Sequence, residues 1–325
     1  MRAAYCREFG SPEVVAIEDE LPAPALGAGQ VRVQVGAASV NFSDVLMVAN
    51  QYQATVPLPF VPGSEFAGTV LEVAEEVAHV AVGDRVLGAV FVGAFAEQVV
   101  VDASAVIKVP AGVELRACAA FGVAHRTAFH ALRSFARVGP GDELVVLGAG
   151  GGVGLAAVQL GAVLGASVTA VASSDEKLEV ARINGATNLI NHKTADLRAA
   201  LKQTLPTGAN AVIDPVGGSL SEPALRILRW RGRFVTLGYA AGEIPRVPLN
   251  LVLLKGAQIV GFQFRDFSFH EPEDFQRGEA ALMELLASGQ VAPHIGAAFA
   301  FADVAKALRH VADGNAVGKV VLDAW

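Results

Sequence analysis

Hydrophobic positions follow two rhythms along this chain. In the first third, short β-rich apolar runs recur: Val14-Val-Ala-Ile17, Val31-Arg-Val-Gln-Val35, Gly68-Thr-Val-Leu-Glu-Val73 and Arg85-Val-Leu87. Turn signals such as Gly10-Ser-Pro12, Pro22-Ala-Pro24 and Gly83-Asp84 separate them. Strands this short and closely spaced predict a compact β-barrel-like domain. Further on, buried strand patterns alternate with helical ones. The strands are Glu143–Leu147, Ser167–Val171, Asn188–Ile190, Ala211–Asp214, Arg233–Leu237 and Gln258–Phe262. That alternation predicts a parallel sheet wound with helices. Near the end, Leu282, Leu285 and Leu286, then Val304, Leu308 and Val311, mark the apolar faces of two more helices.

The most informative stretch joins the first two strands of the alternating region. Glu143-Leu-Val-Val-Leu147 runs into Gly148-Ala-Gly-Gly-Gly-Val-Gly154, and a helical pattern follows from Leu155 to about Leu164, closed by Gly165. Strand, tight turn, helix and strand form the first unit of a dinucleotide-binding domain. A pyrophosphate is held there by N–H groups at a helix start, where the helix dipole favours negative charge. Glycine is needed because a β-carbon would keep the phosphate away. The spacing is Gly148-x-x-Gly151-x-x-Gly154. Ala149, Gly151, Gly152, Val153 and Gly154 are thus candidate cofactor contacts. Two plainer readings compete. One is a flexible loop; the other is a membrane span, since no charge occurs between Leu144 and Ser174. Seven glycines and the flanking β-branched runs argue against the span.

Composition narrows the picture. The 325 residues suffice for two domains. Apolar residues make up 53% and mean hydropathy is +0.45, yet charges recur outside the central stretch, consistent with a well-buried α/β core. A net charge of −7 with no basic block argues against nucleic acid as a partner. The start, MRAAYCREFG, lacks the apolar core of a signal peptide, and Cys6 and Cys118 are too few for a disulfide framework. The expectation is a cytoplasmic protein with no membrane insertion.

Several polar residues are candidates for chemistry. Asn41-Phe-Ser-Asp44 opens a helix predicted through Ala49; it reads as a helix cap or as a polar corner of an active site. Tyr52 precedes a proline-rich loop and can stack on a ligand or donate its hydroxyl; otherwise it is a surface tyrosine. Ligands of open parallel sheets bind beyond the carboxyl ends of the strands, which brings in Val216, Gly238, Tyr239 and Phe262. Asp214 reads as a turn cap. Arg265 is a substrate candidate or a surface arginine.

Taken together, Asn41-Phe-Ser-Asp44, Pro62-Gly-Ser-Glu-Phe-Ala-Gly68, Val82-Gly-Asp-Arg-Val86, Gly148–Gly154, Asp214-Pro-Val-Gly-Gly218 and Gly318-Lys-Val-Val-Leu322 make the chain resemble the medium-chain dehydrogenase/reductase superfamily. It most resembles the zinc-free, zeta-crystallin-like NADPH:quinone oxidoreductases. The resemblance implies an α/β fold: a GroES-like β-barrel domain, residues 1–122 and 261–325, plus a Rossmann doubly wound parallel-sheet domain, residues 123–260. It implies an active-site cleft and a homodimer paired through the Rossmann-sheet edge. Zinc enzymes of the superfamily carry ligands where this chain has Asn41, Ser64 and, by alignment, Val123, so no metal is expected. Thr127 matches a threonine near the nicotinamide. His125 and Arg126 stand where the family more commonly has a small residue or tyrosine and glycine; they shape the pocket mouth or are solvated on a helix. His192 replaces a frequent tyrosine beside the adenosine phosphate, and Lys319 is expected near the cofactor.

An NAD site usually carries an acid about 20 residues after the glycines, on the ribose hydroxyl. Here the strand end is Ala172, followed by Ser173, Ser174 and, on the next helix, Lys177, a set suited to a phosphate. The cofactor expected is NADPH, with Asp175 as a ribose ligand if the strand end lies elsewhere. The expected reaction is metal-free hydride transfer to a quinone or similarly activated carbonyl, with Asn41, Asp44 and Tyr52 as the polar candidates and Tyr52 and Arg265 toward substrate. An enoyl or acryloyl thioester reductase and a non-catalytic NADPH-binding protein are the rival readings.

Overall fold

The structure, a computed structural model, describes residues 1–323. The chain forms two compact units, Met1–Val123 with the segment from Ala292 onward, and Ala124–Val291.

In the first unit the long strand Gln30–Val40 is the organiser. Its alternation puts Val31, Val33 and Val35 inward and Arg32 and Gln34 toward solvent. It pairs antiparallel with Glu65–Val73, Gln98–Asp102 and Lys319–Asp323. Arg85–Ala89 and Val106–Lys108 extend the sheet on one side, and Ile295–Ala300 pairs parallel to Lys319–Asp323 on the other. The inner face is filled by Phe66, Val70, Val86, Phe95 and Val99, with Val304 and Leu308 of the helix Val304–Ala312 closing it. This is the GroES-like domain. The apolar runs of the sequence mark its strands, except Gln98–Asp102, Val106–Lys108, Ile295–Ala300 and the N-terminal Ala3–Cys6.

The second unit is built on a six-stranded, all-parallel sheet. Its spatial order is Asn188–Asn191, Ser167–Ala172, Glu143–Leu147, Ala209–Asp214, Leu228–Thr236, Gln258–Gly261. The order reverses beside Glu143–Leu147, the switch point where doubly wound folds place their ligands. Val145 and Leu147 face the helices Leu197–Thr204 and Ser221–Ile227. Leu144, on the opposite face, lies against Gly161 of the helix Gly152–Val163. Full burial of each such leucine stabilises the fold by about 1.5–3 kcal/mol.

The second crossing between units falls at Val291/Ala292, not at the expected 260/261. The cause is packing: helices Phe264–His270 and Pro272–Ala287 bring Phe267, Phe275 and Glu279 against the helix Ala124–His130, so they belong with the parallel sheet.

Candidate functional site

The candidate nucleotide station lies in the second unit. Glu143–Leu147 ends at Gly148, whose φ of +63° turns the chain back. A β-carbon on Gly154 would overlap the carbonyl oxygen of Gly148, so helix and turn meet only because position 154 is glycine. The Ala149 N–H is spent on Val171 O at 3.0 Å, tying the turn to the neighbouring strand. Among the described residues no side chain caps the helix Gly152–Val163, which leaves its first-turn N–H groups at Gly152, Val153 and Gly154 without a capping acceptor. Val216 closes over Gly148 from the adjacent strand end. Asp214 accepts from Val216 and Gly217 N–H, both at 2.8 Å, and from the Ser221 hydroxyl at 2.6 Å, so it is the turn cap that the sequence suggests.

Beyond Ala172 the chain carries both signs of charge, Asp175 and Glu176 in the first turn of the next helix and then Lys177. Ser174 caps the helix Asp175–Ile183 by accepting the Lys177 N–H at 3.3 Å. The Lys177 stem lies directly over Gly150, and burial lowers its pKa. Burial, then the charges of Lys193 and Lys177, also lower the pKa of His192. Asp175, the alternative ribose ligand, is engaged by Asn191 Nδ2 at 2.7 Å. Ser173 is half-buried at the same strand end. Thr127 is half-buried on the helix Ala124–His130. Gly238 and the exposed Tyr239 follow the strand Leu228–Thr236. The Phe262 ring is buried against Phe135 and Phe267, so only its backbone stands at the strand end. Arg265 is exposed on the helix Phe264–His270.

A second station, in the first unit, is a buried polar cluster. Lys319, first residue of its strand, places its ammonium 2.6 Å from Glu65 Oε1 and 2.7 Å from Asn41 Oδ1. Asn41 Nδ2 donates to Glu65 Oε1 at 2.8 Å and to Ser64 Oγ at 3.1 Å. Glu65 Oε2 accepts the Val123 N–H at 2.6 Å. The Asn41 amide is therefore consumed on both its ends, and Lys319 is anchored on this cluster. Asp44 is fully buried; its Oδ2 accepts the Asn41 N–H at 2.7 Å, completing the helix cap. Burial pushes the Asp44 carboxyl up to about 7. Its Oδ1 has no hydrogen-bond partner, although the Ser64 hydroxyl is close enough to favour the ionised form. The Asn41 amide and the Asp44 carboxyl are thus engaged in the local structure. Tyr52 is half-buried and tilted against Phe91, ring centroids 6.1 Å apart. Glu65 is the residue sequence reasoning missed; the signal was its place in Gly63-Ser-Glu65.

The donor set does not fit zinc. The three ligand positions hold Asn41, Ser64 and Val123, and an ammonium already neutralises Glu65. Burial pushes the Cys118 thiol up to about 11, leaving it protonated, the form that does not ligate metal. Among the described residues no group of three His, Cys, Asp or Glu side chains is arranged to hold an ion.

Sheet order, glycine turn and polar cluster together define a medium-chain oxidoreductase. Residues 27–111 match the family described as "Alcohol dehydrogenase GroES-like domain", and residues 152–284 match "Zinc-binding dehydrogenase". The chain belongs to the zinc-free quinone oxidoreductase branch of the medium-chain dehydrogenase/reductase superfamily. It is 38% identical to quinone oxidoreductase-like protein 2 of Mus musculus over 323 residues, 99% of this chain and 91% of that protein. Quinone oxidoreductase of Homo sapiens is 30% identical, covering 99% of this chain and 97% of its own length. The crystal structure of Escherichia coli quinone oxidoreductase complexed with NADPH superposes with a TM-score of 0.92 at 25% identity, covering 100% of both chains. No described helix is long and apolar enough to cross a membrane.

Proposed function

We propose that the protein binds NADPH and reduces a quinone or a similarly electron-poor carbonyl without a metal. What supports this reading is the strand end: Ala172 leaves out the carboxylate that would repel a 2′-phosphate, and Ser173, Ser174, Lys177 and His192 are the groups proposed to hold it. NADPH, when bound, supplies the hydride. The first-turn amides of Gly152, Val153 and Gly154 hold the pyrophosphate, and Thr127, Val216, Gly238 and Tyr239 stand where the nicotinamide half would lie. A quinone that accepts hydride becomes a hydroquinone anion, whose proton solvent can return, so positioning is the main demand on the protein. Tyr52 is the polar group proposed for the acceptor. The chain is proposed to act as a homodimer paired through the edge strand Gln258–Gly261.

The test follows nicotinamide absorbance in metal-free buffer with para-benzoquinone, comparing NADPH with NADH against an enzyme-free blank. Fast, chelator-resistant oxidation of NADPH and slow oxidation of NADH is the expected result. Equal use of both cofactors would remove the phosphate-site reading, and no oxidation of either would remove the quinone reductase reading.

A further inference from the structure

Arg126 is a nearly buried guanidinium with most of its donors unspent. It lies one helical turn from His130 on the helix Ala124–His130, and both side chains reach Glu279 of the helix Pro272–Ala287. Arg126 Nε donates to Glu279 Oε2 at 2.7 Å, and His130 Nε2 donates to Oε1 at 2.8 Å. The guanidinium carbon sits 5.0 Å from the Phe264 ring centroid and 5.6 Å from that of Phe275. Only 8% of the side chain is exposed.

A guanidinium carries five N–H donors in a fixed fork. Here one, at Nε, has a partner. The four on Nη1 and Nη2 meet no hydrogen-bond acceptor among the described residues. Nor are these nitrogens among the sealed, unpartnered atoms of the core, so they are the part of the side chain that reaches solvent. The stem and faces are thus packed between aromatic rings, Glu279 fixes the rotation, and the two-pronged end is left at an opening. Glu279 divides its single charge between Arg126 and His130. A residue needed only to hold Glu279 requires one donor; the remaining four are left for water or a ligand.

The opening is on the ligand-binding side of the sheet. Downstream of Arg126, the carbonyl of Ala136 accepts from Arg233 Nη1 at 2.7 Å, where the strand Leu228–Thr236 begins to pair with Gln258–Gly261. Ten residues of helical chain carry Arg126 more than about 10 Å from that level. Phe264, beneath the guanidinium, lies just past the carboxyl end of the strand Gln258–Gly261. Arg126 therefore stands beyond the carboxyl ends of the strands, the same edge on which Gly148 turns.

We propose that the paired amino groups of Arg126 form a carboxylate subsite, and that the acceptor reduced by this protein carries a carboxylate that docks there. A carboxylate matches the fork in plane and spacing, and charge-assisted pairs of this type are the stronger hydrogen bonds. The proposal deepens the quinone reductase reading, since it names the substituent that distinguishes a preferred acceptor.

The experiment compares a benzoquinone bearing a carboxymethyl group with its carboxamide, so that charge is the main difference. Wild-type kcat/KM is expected to favour the acid by about tenfold or more, and Arg126→Met is expected to bring the ratio to about one. A wild-type ratio near one, or a preference that survives Arg126→Met, overturns the proposal. Binding is read separately from turnover through the thermal midpoint of the wild-type protein with benzoate or benzamide. Benzoate alone should raise it, by ligand linkage. Arg126→Lys, which keeps a charge beside Glu279, should fold and lose most of that rise. Equal effects of benzoate and benzamide would overturn the subsite. If neither quinone is reduced, the quinone reading fails, and the benzoate result still decides the subsite.

Discussion

Lys319 Nζ and Glu65 Oε1, 254 residues apart in the chain, meet at 2.6 Å with both side chains buried. The pair joins the start of one strand to the start of another and, through Asn41 and Val123, to two helical segments. A buried pair is costly to break because it strands a charge away from water. Glu65→Gln and Lys319→Met are each expected to lose about 3–5 kcal/mol of stability in urea unfolding. The double variant should lose less than the sum of the two. Strict additivity would show that the residues are not coupled.

Asp44 makes stability depend on pH. Its folded-state pKa lies near 7 against a reference of 3.8, because burial disfavours the carboxylate. Between those values the native protein holds a proton that the unfolded chain has released, so this contribution is complete in acid and is lost as pH rises toward 7. Asp44→Asn keeps an oxygen for the Asn41 N–H and removes the titration. The stability of Asp44→Asn relative to wild type is expected to rise by up to about 4 kcal/mol between acid and mildly alkaline pH. Urea unfolding of both proteins at about pH 4.5 and about pH 8 measures it; a difference that does not change with pH would contradict the account.

Cofactor choice should turn on the strand end. Ala172→Asp adds a carboxylate at the proposed 2′-phosphate site, and Lys177→Met removes the cation whose stem rests on Gly150. Each is expected to raise the KM for NADPH about tenfold or more, with a small effect on NADH. Parallel steady-state kinetics with the two cofactors decide the matter. An equal loss with both would mean that the changes disturbed the turn.

Local chemistry was legible from residues in order, and contacts across long separations were not. The run Glu143–Gly154 announces strand, turn and helix because glycine spacing and β-branched patterning act over a few residues, and the structure has them. Ile295–Ala300 was missed because its small residues, Ile-Gly-Ala-Ala-Phe-Ala, show little alternation. His125 and Arg126 read as shaping a pocket mouth or as solvated helix residues, and both are buried. Their partners, Gln159 and Glu279, lie 34 and 153 residues downstream, where no local pattern connects them. The same separation hid the part of Glu65 in the polar cluster. Asn41 and Asp44 fit either a cap or an active-site corner from sequence. Asp44 is the cap, and the Asn41 amide serves Lys319, Glu65 and Ser64.

The edge strand Gln258–Gly261 is last in the parallel sheet, so among the described residues one side of its backbone has no strand partner. Exposed edges of this kind invite pairing with another chain unless charge or proline guards them. Here the neighbourhood is apolar: Ile259 is exposed on the strand, and Leu249, Leu253 and Leu254 project from the helix Leu249–Lys255, Leu253 being 78% exposed. Two copies joined edge to edge would continue the sheet and cover these side chains. Sedimentation equilibrium at about 50 µM is expected to give a dimer, and Ile259→Lys with Leu253→Glu to weaken it by about a hundredfold. Both substitutions are at exposed positions, so the variant should keep its fold by circular dichroism. A wild-type monomer under those conditions would remove the edge as an interface. A dimer indifferent to the two changes would place the contact elsewhere on the molecule.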